Sequence, residues 1–295
     1  MKSGFVCIVG RPNVGKSTLL NGMVGRKIAI VSEKPQTTRN RILGVFSTGD
    51  AQVAFLDTPG IHKPRHKLGE YMVKVAEKTL EEVDLVLYVV DASVPPGSGE
   101  EYILSRLSRV KTPVILVLNK IDLIQKHELL PLIEWFSGRA AFLAVIPVSA
   151  LTGENLGELK KVIIENLPEG PFYYPPEMLT DQPERFIAGE IVREKVLMLT
   201  REEVPHSVAV AVEEMQLRPN QVLYLSAVVY VERDSQKAIL IGKGGQMLKE
   251  IGRLARLELE AIFGNQVYLD IWVKVKKGWR DDEGALRSLG YEKTF

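Results

Sequence analysis

The chain has 295 residues, enough for two domains of ordinary size. Hydrophobic residues make up 45% and charged residues 25%, which excludes disorder along the whole length. The formal net charge is only +1, and that total taken alone argues against a nucleic-acid partner. Cys7 is the only cysteine, so an intramolecular disulfide and a Cys-based zinc site are both excluded, and a reducing compartment fits. Cys7 lies in the apolar run Phe5-Val6-Cys7-Ile8-Val9 and reads as a small core residue. No signal peptide is expected, because a phosphate-loop pattern begins at Gly10. Apolar runs such as Leu85 to Val90 fall far short of a membrane span, and no long repeat is visible.

In chain order, β-like runs fall at 5–9, 42–48, 53–57, 85–91, 114–118 and 145–148. Most are continuously apolar, as strands buried on both faces are. Helical patterns lie between them, around 16–24, 67–82, 98–109, 127–137 and 155–166. This alternation predicts a doubly wound α/β domain with a mostly parallel sheet over 1–167. Residues 168–183 hold five prolines and three acids, which predicts an extended linker. Beyond it, 184–199 reads as a helix with Ile187, Ile191 and Met198 near one face, and Val208, Val210 and Val212 alternate as a strand does. Further strands are expected at 222–231 and 238–241, and an amphipathic helix at 245–263. The last strand is the clearest, with Val267, Leu269, Ile271, Val273 and Val275 on one face and Tyr268, Asp270, Trp272 and Lys274 on the other. An α-β-β-α-α-β order over 184–280 predicts a small α+β domain, followed by a polar tail over 281–295.

Residues 10–17 read GRPNVGKS, a G-x-x-x-x-G-K-S pattern after a predicted strand and before a predicted helix. Gly10 and Gly15 allow backbone N–H groups to point at phosphate oxygens, and the helix N-terminus adds its positive dipole end. Lys16 offers an ammonium to the β- and γ-phosphates, and Ser17 a hydroxyl to Mg²⁺, a cation that prefers oxygen. Asp57-Thr58-Pro59-Gly60 ends an apolar run, so Asp57 suits Mg²⁺ and Gly60 a close backbone approach to a γ-phosphate. In the intervening Gln36-Thr37-Thr38-Arg39 stretch, Thr38 is the candidate for a hydroxyl that reaches Mg²⁺ when a γ-phosphate is present, with Thr37 the close rival.

Asn119-Lys120-Ile121-Asp122 follows another apolar run. The Asp122 carboxylate can accept from guanine N1–H and the exocyclic amine, neither of which adenine presents in that geometry. Hydrogen bonds to a charged group contribute about 1.5–3 kcal/mol each, so two discriminate strongly. Asn119 would brace the loops, the Lys120 stem would cover the base face, and Ser149-Ala150-Leu151 would offer backbone N–H groups to guanine O6.

In the second half, Gly242-Lys243-Gly244-Gly245 is a G-x-x-G element, read here as lying between a β-like run and an amphipathic helix. Such a loop in KH domains clamps the backbone of about four nucleotides. Residues 237–280 hold nine Lys/Arg and four Asp/Glu, a local net of +5 that the neutral total hides. Lys249, Arg253 and Arg256 share a helix face. Lys274, Lys276, Lys277 and Arg280 form a basic end beside Trp272 and Trp279, which are candidate base-stacking rings.

The motifs GRPNVGKS, QTTR, DTPG, NKID and SAL, in that order, resemble a translation-factor-class GTPase domain. Together with QTTRNRI, EIVREKV, LTREEVPHSVAV, IGKGGQMLKEIG and YLDIWVKVKKGWR they resemble the Era family of bacterial GTPases over nearly the whole chain. The resemblance implies a P-loop GTPase domain followed by a type II KH domain. It adds Val14 and Thr18 to the nucleotide set and Ile241 to the RNA set. It departs from Ras-like GTPases at Ile61, where those carry a water-orienting Gln, so slow intrinsic hydrolysis is expected. In Era-like GTPases the loop asparagine, here Asn13, holds a K⁺ in place of an arginine finger.

The catalytic set implied is therefore Lys16, Thr38, Gly60 and Asn13, with GTP or GDP and Mg²⁺ as ligands. The family further implies a cytoplasmic monomer, peripherally associated with the inner face of the cell membrane, with no DNA partner. It would bind the 3′ end of 16S ribosomal RNA and act in maturation of the 30S subunit, with the GTP form favouring RNA. Two other function classes are weaker. A second enzyme activity would need another catalytic constellation, yet His206 is the only histidine after residue 183 and no cysteine is available there. A membrane-linked signalling GTPase would need a lipid or helical anchor and would leave GKGG unexplained.

Overall fold

Apolar runs with no polar alternation need cover on both faces, and the first half of the chain supplies it. The computed structural model describes residues 1–34, 36–61, 64 and 66–291. Strands β1 (Lys2–Val9), β2 (Ile42–Ser47), β3 (Ala51–Asp57), β4 (Leu85–Asp91), β5 (Val114–Asn119) and β6 (Ala144–Pro147) form one sheet in the order β2-β3-β1-β4-β5-β6. All neighbours are parallel except β2, which lies antiparallel to β3 at one edge.

Alternate residues of each run serve different cores. Val6, Ile8, Phe55, Leu87 and Val117 pack with helices α1 (Lys16–Val24) and α5 (Leu156–Asn166) on one face. Cys7, Val9, Val86, Tyr88 and Leu116 pack on the other with α2 (Lys67–Glu81), α3 (Ser98–Leu107) and α4 (Leu129–Ser137). Burial pushes the Cys7 thiol far above its usual range, which makes it an inert core group. Parallel strands place their carboxyl ends along one sheet edge, where open α/β sheets bind ligands. Gly10, Asp57, Asn119 and Ser149 all follow or end strands on that edge.

The Pro-rich segment is extended, but it does not stand free. The first compact unit runs on to Asp181, beyond the expected end at 167. Fully buried Gln52 explains part of this: its Oε1 accepts the Tyr173 and Tyr174 N–H groups at 2.8 and 3.0 Å, and its Nε2 donates to the Tyr174 carbonyl at 2.8 Å. Val45 N–H donates to the Leu179 carbonyl at 2.8 Å, so the segment covers the open edge of β2. Phe5 meets the rings of Tyr173 and Tyr174, with centroids 4.9 and 6.4 Å away.

The second unit, from Gln182 on, contains α6 (Glu184–Leu199), α7 (Val204–Ser207), β7 (Ala209–Leu217), β8 (Val222–Val231), α8 (Asp234–Ile241), α9 (Gln246–Phe263) and β9 (Gln266–Val275). β7 pairs antiparallel with β8, and β8 parallel with β9. The α-β-β-α-α-β order is present with the short α7 added. Residues 238–241, expected as a strand, are instead the last turn of α8. Gln236 Oε1 accepts the Glu232 and Arg233 N–H groups at 2.9 and 3.0 Å, capping that helix, and a four-residue apolar run cannot by itself distinguish helix from strand. Met198 is also corrected: the buried face of α6 runs through Ala188, Ile191, Val192 and Val196, and Met198 is exposed at the helix end.

Up to residue 291 the chain is packed through Trp279, which is fully buried, donates Nε1–H to the Ser207 carbonyl at 2.9 Å and stacks on Tyr291. Trp279 is therefore a core residue and not a base-stacking ring. A short α10 (Glu283–Ser288) follows, its N-terminus capped by Asp282 through the Ala285 N–H at 2.6 Å.

Candidate functional site

The phosphate loop spans the gap between β1 and α1, and Lys16 points into it. Its ammonium is buried and donates to the Gly10 and Arg11 carbonyls at 3.2 and 2.7 Å. Burial lowers its pKa to about 8, against the opposing pull of Asp57. Asp57, at the end of β3, is fully buried, and its Oδ2 accepts the Ser17 hydroxyl at 2.8 Å and the Thr38 hydroxyl at 3.3 Å. Ser17 Oγ and Thr38 Oγ1 lie 2.8 Å apart. Three oxygen groups named from separate motifs thus converge, and Thr38 rather than Thr37 makes these contacts.

Burial raises the Asp57 pKa to about 6, with Lys16, Ser17 and Thr38 pulling it back down. Asp57 Oδ1 is buried and has no hydrogen-bond partner among the described residues. A buried carboxylate oxygen in an all-oxygen set, beside hydroxyls and an ammonium, fits a hard divalent cation such as Mg²⁺. Elsewhere among the described residues, no group of three or more His, Cys, Asp or Glu could hold a metal.

Gly60 sits against the loop so closely that a β-carbon there would stand 2.7 Å from the Pro12 nitrogen, a contact only glycine permits. Ile61 donates its N–H to the Gly10 carbonyl at 3.1 Å and buries its side chain with Ala76, Leu80 and Val9. The side chain after Gly60 therefore faces the core. Asn13 has a left-handed backbone (φ 66°) and an exposed side chain, while Val14 is buried and Thr18 half-buried in the first turn of α1.

At the other end of the edge, Asn119 is buried and bridges two loops. Its Nδ2 donates to the Val14 carbonyl at 2.8 Å, and its Oδ1 accepts the Ala150 N–H at 2.9 Å. Asp122 is exposed on the single turn Ile121–Leu123. Of the three N–H groups expected to reach a base oxygen, two already have intramolecular acceptors. Ser149 N–H donates to the Glu154 carbonyl at 3.1 Å and Ala150 N–H to Asn119, while Leu151 is exposed.

Sequence reasoning missed two ion pairs. Lys120 Nζ is held by Asp91 at 2.5 Å, and Arg11 in the phosphate loop pairs with buried Glu100 at 3.0 Å. A signal for the first existed: Asp91 ends the run LVLYVVD as Asp57 ends VAFLD.

In the second unit, Gly242, Gly244 and Gly245 have φ of 72°, 60° and 78°, and the loop joins α8 to α9. It is thus a helix-to-helix loop, not the strand-to-helix turn expected. Ile241 ends α8, and Lys243 is exposed at the tip. The basic residues divide into two groups. Arg253 pairs with Glu250 at 2.7 Å, Arg256 with Glu260 at 3.1 Å, Lys274 with Glu213 at 3.3 Å and Arg280 with Glu232 at 2.5 Å. Lys276 donates to Ser288 Oγ at 2.9 Å. Among the described residues, Lys243, Lys249 and Lys277 carry no ion pair and are exposed. Trp272 is 58% exposed and Tyr268 57%, on the outer face of β9.

Comparison with known proteins agrees with both halves. A family model described as 50S ribosome-binding GTPase matches residues 5–120, and a KH domain model matches residues 203–280. The chain is 56% identical over 295 residues to GTPase Era of Heliobacterium modesticaldum, covering 100% of this chain and 99% of the relative. Its fold is similar to a crystal structure of Era in complex with MgGDPNP and nucleotides 1506–1542 of 16S ribosomal RNA, with a TM-score of 0.96, 47% identity and 99% of each chain covered. It is also similar to a variant of Aquifex aeolicus Era bound to GDP and AlF4⁻, with a TM-score of 0.95, 46% identity and 99% of each chain covered. Motif order, fold and identity over the full length agree: the chain belongs to the Era family of GTPases.

Proposed function

We propose that this protein is a GTP-hydrolysing switch that binds the 3′ end of 16S ribosomal RNA through its KH domain and assists maturation of the small ribosomal subunit. The observation that carries the switch is the convergence of Ser17, Thr38 and Asp57 beside buried Lys16. Ser17, Thr38 and Asp57 would hold Mg²⁺, which when bound neutralises charge on the β- and γ-phosphates. Lys16 exchanges its loop carbonyls for phosphate oxygens. Gly60 brings its backbone N–H to the γ-phosphate. Asp122 reads the guanine edge, and Asn119 holds the two loops that frame it.

Thr38 couples the nucleotide to the chain. Its hydroxyl belongs to the cation set and its backbone leads in four residues to β2, so loss of the γ-phosphate frees the 36–41 stretch to rearrange. With Ile61 turned into the core, attack of water has no side-chain help at that position. Asn13, at the crown of the loop, is the residue proposed to hold a K⁺ there.

The Gly242–Gly245 loop is proposed to clamp the RNA backbone. Lys243, Lys249 and Lys277 supply unpaired charge, and Lys274, Lys276 and Arg253, each engaged with a neighbouring side chain, form a weaker surround. The protein is proposed to act as a monomer on the 30S subunit, in the cytoplasm and peripherally at the membrane. Among the described residues, no helix is long and apolar enough to cross a membrane.

The direct test measures phosphate release from GTP with Mg²⁺ in KCl and in NaCl, beside binding of a labelled RNA from the 16S 3′ end. Slow turnover that is faster in KCl, and tighter RNA binding with a GTP analogue than with GDP, are expected. No turnover in either salt, or RNA binding indifferent to nucleotide, contradicts the proposal.

A further inference from the structure

Asp122 has thin support. It lies on a single turn whose hydrogen bonds are Leu123 N–H to the Lys120 carbonyl at 3.0 Å, Ile124 N–H to the Ile121 carbonyl at 3.3 Å and Ile121 N–H to the Val148 carbonyl at 3.3 Å. The turn begins at Lys120, whose backbone is left-handed (φ 68°), a conformation that a residue with a side chain rarely adopts without being held there. The charged group that its side chain meets is Asp91. Lys120 Nζ donates to Asp91 Oδ2 at 2.5 Å, while Asp91 Oδ1 accepts the Ser93 N–H at 3.0 Å and the Ser93 hydroxyl at 2.6 Å.

The two residues also sit on adjoining strand ends. Asp91 is in register with Asn119, and Ala92 N–H donates to the Asn119 carbonyl at 2.9 Å. The Asp91 carboxylate is therefore fixed to the sheet on one side and grips a mobile ammonium on the other. Burial works against its charge, yet the hydrogen bonds from Lys120 and Ser93 hold its pKa below the usual carboxylate range.

We infer that Asp91 is a specificity-determining positioning residue: through its ion pair with Lys120 it sets the pose of the turn that presents Asp122 to the base. The inference rests on the reading of this site as a guanine nucleotide site. Asp91 touches no base itself. Loosening Lys120 lets the Asp122 carboxylate wander from the pair of donors it must meet together. The second of those donors, the exocyclic amine, is the one inosine nucleotides lack. Discrimination between guanine and inosine nucleotides is thus the property that Asp91 controls, and a residue that merely stabilised the domain would leave it unmoved.

The test compares dissociation constants for GDP, IDP and ADP in the full chain, in Asp91→Asn, in Lys120→Met and in the double variant, with thermal melting of each without nucleotide. Met keeps the apolar stem over the base and removes only the ammonium. The native chain should prefer GDP to IDP by about tenfold or more, as loss of a hydrogen bond to a carboxylate predicts. Asp91→Asn should reduce that GDP/IDP ratio by roughly fivefold, Lys120→Met by a similar factor, and the double variant no further, because both remove one pair.

A ratio unchanged in Asp91→Asn, or reductions that multiply in the double variant, overturns the inference. Should Asp91→Asn fail to fold, Lys120→Met alone decides, since a retained ratio there also overturns it. Failure of the underlying reading looks different, because the native chain would then bind ADP as tightly as GDP.

Discussion

Asn119 and Gly15 are fitted to each other: a β-carbon on residue 15 would stand 2.2 Å from Asn119 Nδ2. The same nitrogen donates to the Val14 carbonyl at 2.8 Å, so the phosphate loop and the base-binding loops are one braced unit. Gly15→Ala should displace the Asn119 amide and lower GDP affinity by about a hundredfold, the scale of losing two buried hydrogen bonds. Asn119→Ala should have a similar effect, and the two should be far from additive when combined. Isothermal titration of the three variants checks this.

Exchange of Asp122 for Asn replaces a double acceptor with a group that both accepts and donates. Xanthine carries an oxygen where guanine carries its amine, so Asp122→Asn should prefer xanthosine triphosphate to GTP. Loss of GTP affinity should be about a hundredfold. Competition binding with the two nucleotides checks the prediction, and unchanged GTP binding would sink the base-reading assignment.

The pH response of Asp57 has a definite sign. Its pKa is raised to about 6 in the folded protein, against about 3.9 for an unperturbed Asp, so the metal-free fold binds more protons than the unfolded chain between those values. Metal-free stability should therefore fall as pH rises through that window. Mg²⁺ needs the carboxylate, so Mg²⁺ affinity should drop as pH falls below about 6 and binding there should release a proton. Asp57→Asn should abolish both effects, as read by melting and calorimetry across pH.

Switching should depend on Thr38 and not on its neighbour. Thr38→Ala removes a hydroxyl 2.8 Å from Ser17 Oγ, and should reduce Mg²⁺-dependent binding of a GTP analogue by about tenfold with GDP binding nearly unchanged. Thr37→Ala should leave the ratio of the two affinities intact. Stopped-flow with fluorescent nucleotides separates them.

How far the sequence could be read is visible in particular residues. Asp57, Asn119 and Lys16 end or follow runs of apolar residues, and a strand buried on both faces can be read from such a run without knowing its neighbours. Ser17, Thr38 and Asp57 could be named from their motifs, but their meeting is tertiary, and only it separates Thr38 from Thr37. Asp91 escaped because its partner Lys120 is 29 positions away and is brought to it by strand register. The 238–241 strand was misread because AILI satisfies both periods, and the capping by Gln236 that decides between them depends on contacts to Glu232 and Arg233. Trp279 looked available because the polar tail around it gave no hint of the cover it receives from Tyr291 and the Ser207 carbonyl.

Crosslinking and sequencing of bound RNA with GTP, with GDP and without nucleotide, using the native chain and Gly244→Asp, tests the central claim most directly. Gly244 has open space where a β-carbon would go but a left-handed backbone (φ 60°) that strains any side chain. Asp tolerates that region better than most residues, meets no clash there and places negative charge in the clamp. Melting of the variant reads the backbone cost separately. Enrichment of the 16S 3′ end, strongest with GTP and lost in Gly244→Asp, is the predicted result. Absence of ribosomal RNA, or enrichment that ignores both nucleotide and substitution, would contradict it.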